Sequence, residues 1–185
     1  NSVAAEYRYD GTRLHVSAST RRDHNNEFKN ADSWRITSAF KLDEITLYGS
    51  LGESVKNPTF TERFGFFTNF IGNPDLNPET SYQWEIGVRS SLMDESLDLA
   101  ATYFNANLKD EINGFVYDFA TGGFTSANIE GESDRSGFEL EMEYKSGGPW
   151  DLRATYTYLD ANQQSAAGKV SEVRRPEHSG SLAFN

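Results

Sequence analysis

The 185-residue sequence contains no cysteine, only 5 prolines and 3 histidines, and no uninterrupted apolar run longer than three residues, as in Phe115-Val116-Tyr117. Without cysteine there is no disulfide framework, no thiol nucleophile and no thiolate metal site, and the redox compartment stays open. A membrane-spanning helix needs about 20 mostly apolar residues, and the apolar stretch of a secretory signal needs roughly 7–15. Neither occurs in these residues, and the mean hydropathy is −0.65. Basic residues are also short, 17 against 28 acidic, for a net charge of −11. Phosphate backbones bind basic patches, so no nucleic acid partner is expected. Motifs for catalysis are missing too: there is no Gly-x-Ser-x-Gly, no phosphate-binding glycine loop and no His-Glu-x-x-His. Neither enzyme activity nor a cofactor is expected.

What the chain does have is aromatic side chains: 13 Phe, 9 Tyr and 3 Trp, beside 15 Gly. That is too aromatic for a disordered acidic chain. Period-two alternation predicts about nine strands, near 2–9, 12–22, 33–42, 45–54, 81–93, 96–108, 135–146, 150–160 and 177–185. One face of each is apolar and uncharged, for example Trp34, Ile36, Phe40 and Leu42, or Phe138, Leu140, Met142 and Tyr144. The opposite faces carry Arg35 and Lys41, Glu85 and Arg89, and the row Glu139, Glu141, Glu143. Like charges two residues apart on one strand face repel, so that face needs water or cationic neighbours.

The connections alternate in length. Short ones fall at Asp10-Gly11, Asp43-Glu44, Asp94-Glu95 and Ser146-Gly147-Gly148-Pro149, and long ones near 23–32, 55–80, 109–134 and 161–176. Asp-Gly predicts a two-residue hairpin turn. Two architectures give this alternation. In a soluble β-sandwich the apolar faces form the core. In an outer-membrane barrel they face lipid, with short turns on one side and long loops on the other. Strands of about ten residues, Tyr and Trp near strand ends and the two-sided loop lengths favour an antiparallel transmembrane β-barrel segment.

Residues 52–80 are the most distinctive stretch: Lys56-Asn57-Pro58-Thr59, then Gly72-Asn73-Pro74-Asp75-Leu76-Asn77-Pro78-Glu79. Trp84-Glu85-Ile86-Gly87 opens the next strand. Further along come Asn128-Ile129-Glu130-Gly131, Gly137-Phe138-Glu139, the Tyr156/Tyr158/Asp160 strand and Arg174-Arg175-Pro176-Glu177-His178. Together these resemble the barrel of TonB-dependent outer-membrane receptors, with spacing most like the cobalamin-receptor branch, which also contains siderophore receptors. The resemblance implies a twenty-two-stranded barrel with a plugged lumen. This chain is then expected to be an interior fragment, 1–185, with the plug domain and the C-terminal strands absent. It implies residence in the outer membrane of a Gram-negative bacterium. It also implies contact with outer-membrane lipid, coupling to TonB through the missing N-terminal part, and import of a small-molecule nutrient or metal chelate of cobalamin or iron–siderophore type. A porin-like or structural barrel segment and a soluble β-sandwich binding module remain alternatives.

Ligand contact is expected in two aromatic loops. One holds Arg63, Phe64, Phe66, Phe67 and Phe70, with Phe60 and Ile71 beside them; the other holds Tyr117, Phe119 and Phe124, with Phe115. Exposed apolar clusters mark binding surfaces, aromatics often carry the contact energy, and Arg63 suits an anionic or metal-chelated ligand. The alternative is that these rings pack loop against loop, or against the plug. Asn73, Asp75, Asn77 and Glu79 place oxygens at every second residue, as hard cations prefer. Pro74 and Pro78 explain the same stretch as turns, so no metal is expected. His15, His24 and His178 are far apart and are expected to be solvated, and the Glu139/Glu141/Glu143 row is read as a water-facing lumen wall.

Overall fold

The structure, a computed structural model, describes residues 1–26, 30–165 and 168–185, apart from the side chain of Ser165. The chain begins with β1 (Ser2–Asp10), β2 (Leu14–Asp23), β3 (Ala31–Leu42) and β4 (Ile45–Lys56). A short helix, α1 (Phe60–Phe64), precedes β5 (Glu79–Leu92) and β6 (Leu97–Lys109). A hairpin, β7 (Ile112–Asp118) and β8 (Gly123–Asn128), leads to β9 (Glu132–Lys145), β10 (Asp151–Ser165), β11 (Gly168–Ser171) and β12 (His178–Phe184).

All nine expected strands are present, and every pairing between them is antiparallel. The sheet runs β1-β2-β3-β4-β5-β6-β9-β10, and β11 and β12 then pair with the two ends of β10. Glu172 N–H donates to Ala161 O at 2.9 Å and Leu159 N–H to Glu177 O at 2.8 Å, so residues 172–177 bulge out of a single interrupted strand. The sheet is open, with β1 at one edge. Two expected loops are more structured than composition implies: 109–134 contains the β7–β8 hairpin, and β10 and β11 occupy part of 161–176.

Register keeps the two faces apart. One row crosses the sheet as Leu14, Phe40, Leu47, Val88, Ala101, Leu140, Tyr156 and Gly180. The next reads Lys41, Thr46, Arg89, Ala100, Glu141, Thr155 and Ser181. A slip of one residue anywhere would interchange them. Among the described residues no second sheet covers the apolar face: Ile86 is 61% exposed, and Leu47 and Leu140 are also exposed. A sandwich would bury these side chains. The buried apolar residues, Phe70, Leu76, Leu108, Ile112 and Ala161, all lie at the long-loop end instead.

Aromatic rings edge the apolar band. At the loop end Trp34 meets Tyr82, Trp84 meets Tyr103, and Phe138 stacks on Tyr158. At the short-turn end Trp150 lies between Tyr144 and Phe184. From Phe138 to Tyr144 along β9 is about 20 Å at ~3.4 Å per residue, close to the apolar height of ~25 Å of an outer-membrane barrel. This is a piece of barrel wall, apolar outside and polar inside.

One turn departs from expectation. Asp10 still pairs with His15, and Gly11 N–H donates to Leu14 O at 2.9 Å, so the reversal centres on Thr12-Arg13 rather than Asp10-Gly11. Gly11 does not take the left-handed backbone that a primed turn requires. It provides room, because a Cβ there would stand 2.9 Å from the Tyr9 hydroxyl.

Candidate functional site

The long-loop end is built from residues 57–78 and 110–131. Pro58, Pro74 and Pro78 remove ladder donors, so the chain leaves the sheet after Lys56 and rejoins it at Glu79. Thr59 starts α1 with reciprocal caps: Glu62 N–H donates to Thr59 Oγ1 at 3.3 Å, and Thr59 N–H to Glu62 Oε2 at 2.6 Å. Gly65, with φ 76°, ends the turn. Gly72 lies so close to α1 that a Cβ would stand 2.2 Å from Phe64 N.

The returning segment then extends the hairpin. Ile71 N–H donates to Phe124 O and Phe124 N–H to Asn69 O, both at 2.8 Å, which adds a strand-like piece alongside β8. Asn73 Nδ2 donates to Ser126 O at 3.0 Å. Asn128 clamps both loops: its Oδ1 accepts from Asn77 N–H at 2.9 Å, while Nδ2 donates to Asn77 O at 3.0 Å and Asp110 O at 2.6 Å. Glu79 Oε2 fastens the base, accepting from Lys56 Nζ at 3.3 Å and Ile112 N–H at 3.2 Å.

Two of the four side chains considered for a cation, Asn73 and Glu79, use their oxygens in folding the loop. Asn73 Oδ1 accepts from Asp75 N–H at 3.0 Å, and Glu79 holds Lys56 and Ile112. Among the described residues no group of three or more His, Asp or Glu side chains converges as a metal site would.

The two aromatic loops form one cluster around Phe70, which is only 4% exposed. Its ring centroid lies 5.0 Å from Phe66, 5.8 Å from Phe67 and 5.9 Å from Phe115. Phe115 stacks on Phe124 at 4.3 Å, Tyr117 meets Phe124 edge-on at 5.5 Å, and Phe119 caps Tyr117 at 5.0 Å. Phe64 pairs with Phe60 at 4.9 Å. The Arg63 guanidinium lies 5.0 Å from the Phe64 ring centre and donates to Pro74 O at 3.4 Å. Phe70 therefore packs loop on loop, with Phe124 partly covered beside it. Phe64, Phe66, Phe67 and Tyr117 keep about half their surface in solvent, and Phe119 is 91% exposed.

At the hairpin tip the Asp118 carboxylate accepts from Thr121 Oγ1 at 2.8 Å and Ala120 N–H at 2.9 Å. These bonds favour the ionised form, the Thr121 bond most, and hold its pKa below the usual carboxylate range.

The base of the β7–β8 hairpin lies on the lumen side, where Ile112 bonds Glu79 and Glu111 bonds Arg135. Leu108, Ser133 and Ala161 belong to the polar, lumen-facing rows, and all three are buried beneath loop material. Lower on that wall Glu143 pairs with Arg153 at 2.9 Å, while Glu139 and Glu141 stay exposed opposite threonine and alanine. His15 bonds Asp10 at 3.1 Å. His178 is not simply solvated: it stands on the apolar face, its Nδ1 2.8 Å from the Tyr156 hydroxyl and its ring 5.3 Å from Tyr158. Phe115, which joins the two loops, and the Asn128 clamp carry no sequence period that marks them.

A model of the TonB dependent receptor-like β-barrel family matches residues 2–185. The chain is 30% identical over 137 residues to the vitamin B12 transporter BtuB of Vibrio vulnificus, covering 71% of this chain and 21% of the relative. Among solved structures it superposes on the siderophore receptor PirA of Acinetobacter baumannii with a TM-score of 0.73 at 22% identity, covering 99% of this chain and 30% of that one. It superposes on the copper transporter OprC with a TM-score of 0.76 at 16% identity, covering 99% and 32%. The chain spans about a fifth to a quarter of the length of the curated relatives it matches.

Proposed function

The chain belongs to the TonB-dependent receptor β-barrel family, and on that premise we propose that it forms part of an outer-membrane importer of a scarce nutrient in a Gram-negative bacterium. Residues 1–185 are one partial barrel domain, and the plug and remaining strands belong to other parts of the whole receptor. TonB acts through those other parts. The ordered aromatic body that joins the two long loops around Phe70 carries this reading. A porin needs an open aqueous mouth, whereas here the two long loops share a core and the hairpin base is bonded to lumen-facing Glu79 and Arg135.

The ligand is a small molecule or metal chelate offering apolar or planar surface, of cobalamin or iron–siderophore type. Exposed Phe64, Phe66, Phe67, Tyr117 and Phe119 provide contact area, buried Phe70 and partly covered Phe124 hold them in place, and Arg63 supplies positive charge. The vitamin B12 and siderophore receptors among its relatives support this class. The role is binding and transport, without catalysis.

The test replaces Phe64, Phe66 and Phe67 together with Ala in the complete receptor. Uptake of labelled cobalamin and of ferric siderophores is measured separately, beside the receptor level in the outer membrane. Loss of uptake for one ligand at unchanged level is expected. Unchanged uptake of both overturns the assignment of these rings.

A further inference from the structure

Arg135 belongs to β9, on the lumen-facing row with Ala106 and Ala161. Its Nε donates to Glu172 Oε1 at 2.7 Å and its Nη2 to Glu111 Oε1 at 2.6 Å. Glu111 opens the β7–β8 hairpin, 24 residues before Arg135, and Glu172 lies in the bulge between β11 and β12, 37 residues after it. The Arg135 side chain is 17% exposed, that of Glu172 6% and that of Glu111 20%. Glu172 Oε2 also accepts from Arg175 Nε. Glu111 Oε2 is buried and takes no hydrogen bond among the described residues, so Arg135 is the group that compensates its charge.

We infer that Arg135 is the positioning residue of the mouth, pinning two separate straps, 110–112 and 172–175, to one point on the lumen wall so that they order and loosen together. The chemistry requires arginine. Its planar fork addresses two carboxylates at once along fixed directions, which a lysine ammonium on a flexible stem does not reproduce. Without it, Glu111 loses its cation and Glu172 keeps only Arg175, a partner within its own strap. Ile112, next to Glu111, donates its N–H to Glu79 and is buried at the base of the β7–β8 hairpin, which carries Phe115, Tyr117 and Phe124. A strap released at Glu111 therefore frees the base of that hairpin. The role as a mouth rests on the transport reading; the coupling of the straps does not.

Hydrogen–deuterium exchange of the complete receptor in detergent tests the coupling, read in peptides spanning 110–118 and 171–177. Glu172→Leu removes a side chain that belongs to one strap, and Glu111→Leu is its reciprocal. Each is expected to speed exchange at least about fivefold in the opposite strap as well as its own. Arg135→Met should loosen both, and Arg135→Lys should restore protection only in part. Heat-modifiable gel mobility identifies folded barrels, and the reciprocal pair leaves one strap readable if the other variant fails to fold. Faster exchange confined to the substituted strap, or no change in either, overturns the inference. No ligand enters this measurement, so the coupling can fail while the transport reading stands.

Discussion

Tyr48 lies flat across Gly87 on the lumen wall: the two are direct cross-strand partners, and a Cβ on Gly87 would stand 2.4 Å from Tyr48 Cζ. The Tyr48 hydroxyl continues over the glycine to Thr102 Oγ1 at 2.6 Å. An aromatic ring laid over a glycine restores the packing the missing side chain forfeits. Gly137 shows a related arrangement, with Phe104 opposite it and a hypothetical Cβ 2.9 Å from the Phe104 ring, but the same Cβ would stand 2.0 Å from Tyr158 O. A ring can swing away and a backbone carbonyl cannot. Gly87→Ala should therefore lift Tyr48 and cost about 1–2 kcal/mol, one hydrogen bond and some packing. Gly137→Ala should cost more, about 3 kcal/mol, by prising β9 from β10. Denaturant titration of the complete receptor in lipid reads both, and equal costs would refute the distinction.

Phe70 and Phe119 mark the extremes of the aromatic body, one buried and one almost wholly in water. Phe70→Ala should leave a cavity and cost about 3–5 kcal/mol of local order, seen as faster exchange at 66–73 and 112–125. Phe119→Ala should leave exchange unchanged while weakening ligand binding. If Phe119→Ala also loosened the hairpin, that ring would be a packing residue and not a contact.

The strands were legible because the sheet has one apolar and one polar face. That difference forces a period of two, and β1 to β6, β9 and β10 carry it through the apolar band. The β7–β8 hairpin was not legible, because its pairing shifts between Asn113 and Val116 and breaks the alternation. Its apolar partners also come from another loop: Phe70 and Phe115 meet across a sequence separation of 45, with no spacing rule to announce it. In the sequence Arg135 is one more charge in a strand of alternating residues, and nothing in its spacing sets it apart. Only the fold reveals that it is shielded and shared between two carboxylates. Asp10-Gly11 misled because the ladder runs past it to Leu14, and the glycine serves the Tyr9 ring.

The hairpin tip should depend on acid. Asp118 is ionised more readily when folded than when unfolded, because Thr121 and Ala120 donate to its carboxylate. A lowered folded pKa means the contribution is complete above the unfolded pKa, near 4, and is lost as pH falls through the folded value. Resonances of Ala120 and Thr121 should thus stay constant from neutral pH down to about 5 and move toward disordered positions below about 4. Asp118→Asn should abolish the transition, and a transition that survives it would assign the acid response elsewhere.

The assignment of faces makes the sharpest demand on the barrel itself. Leu140 and Thr157 belong to paired strands near the middle of the wall, Leu140 on the uncovered apolar row and Thr157 on the polar one, opposite Glu139. If the apolar face meets lipid, Leu140→Arg places a charge near the bilayer midplane and should cost about 2–4 kcal/mol. Thr157→Lys places the same charge in a wet lumen beside a carboxylate and should cost less than about 1 kcal/mol. The order is reversed if the sheet is inverted, with lipid against Glu139 and Glu141. Refolding equilibria of the complete receptor into lipid vesicles distinguish the two, because the sign of the difference between these substitutions depends on which face lipid touches.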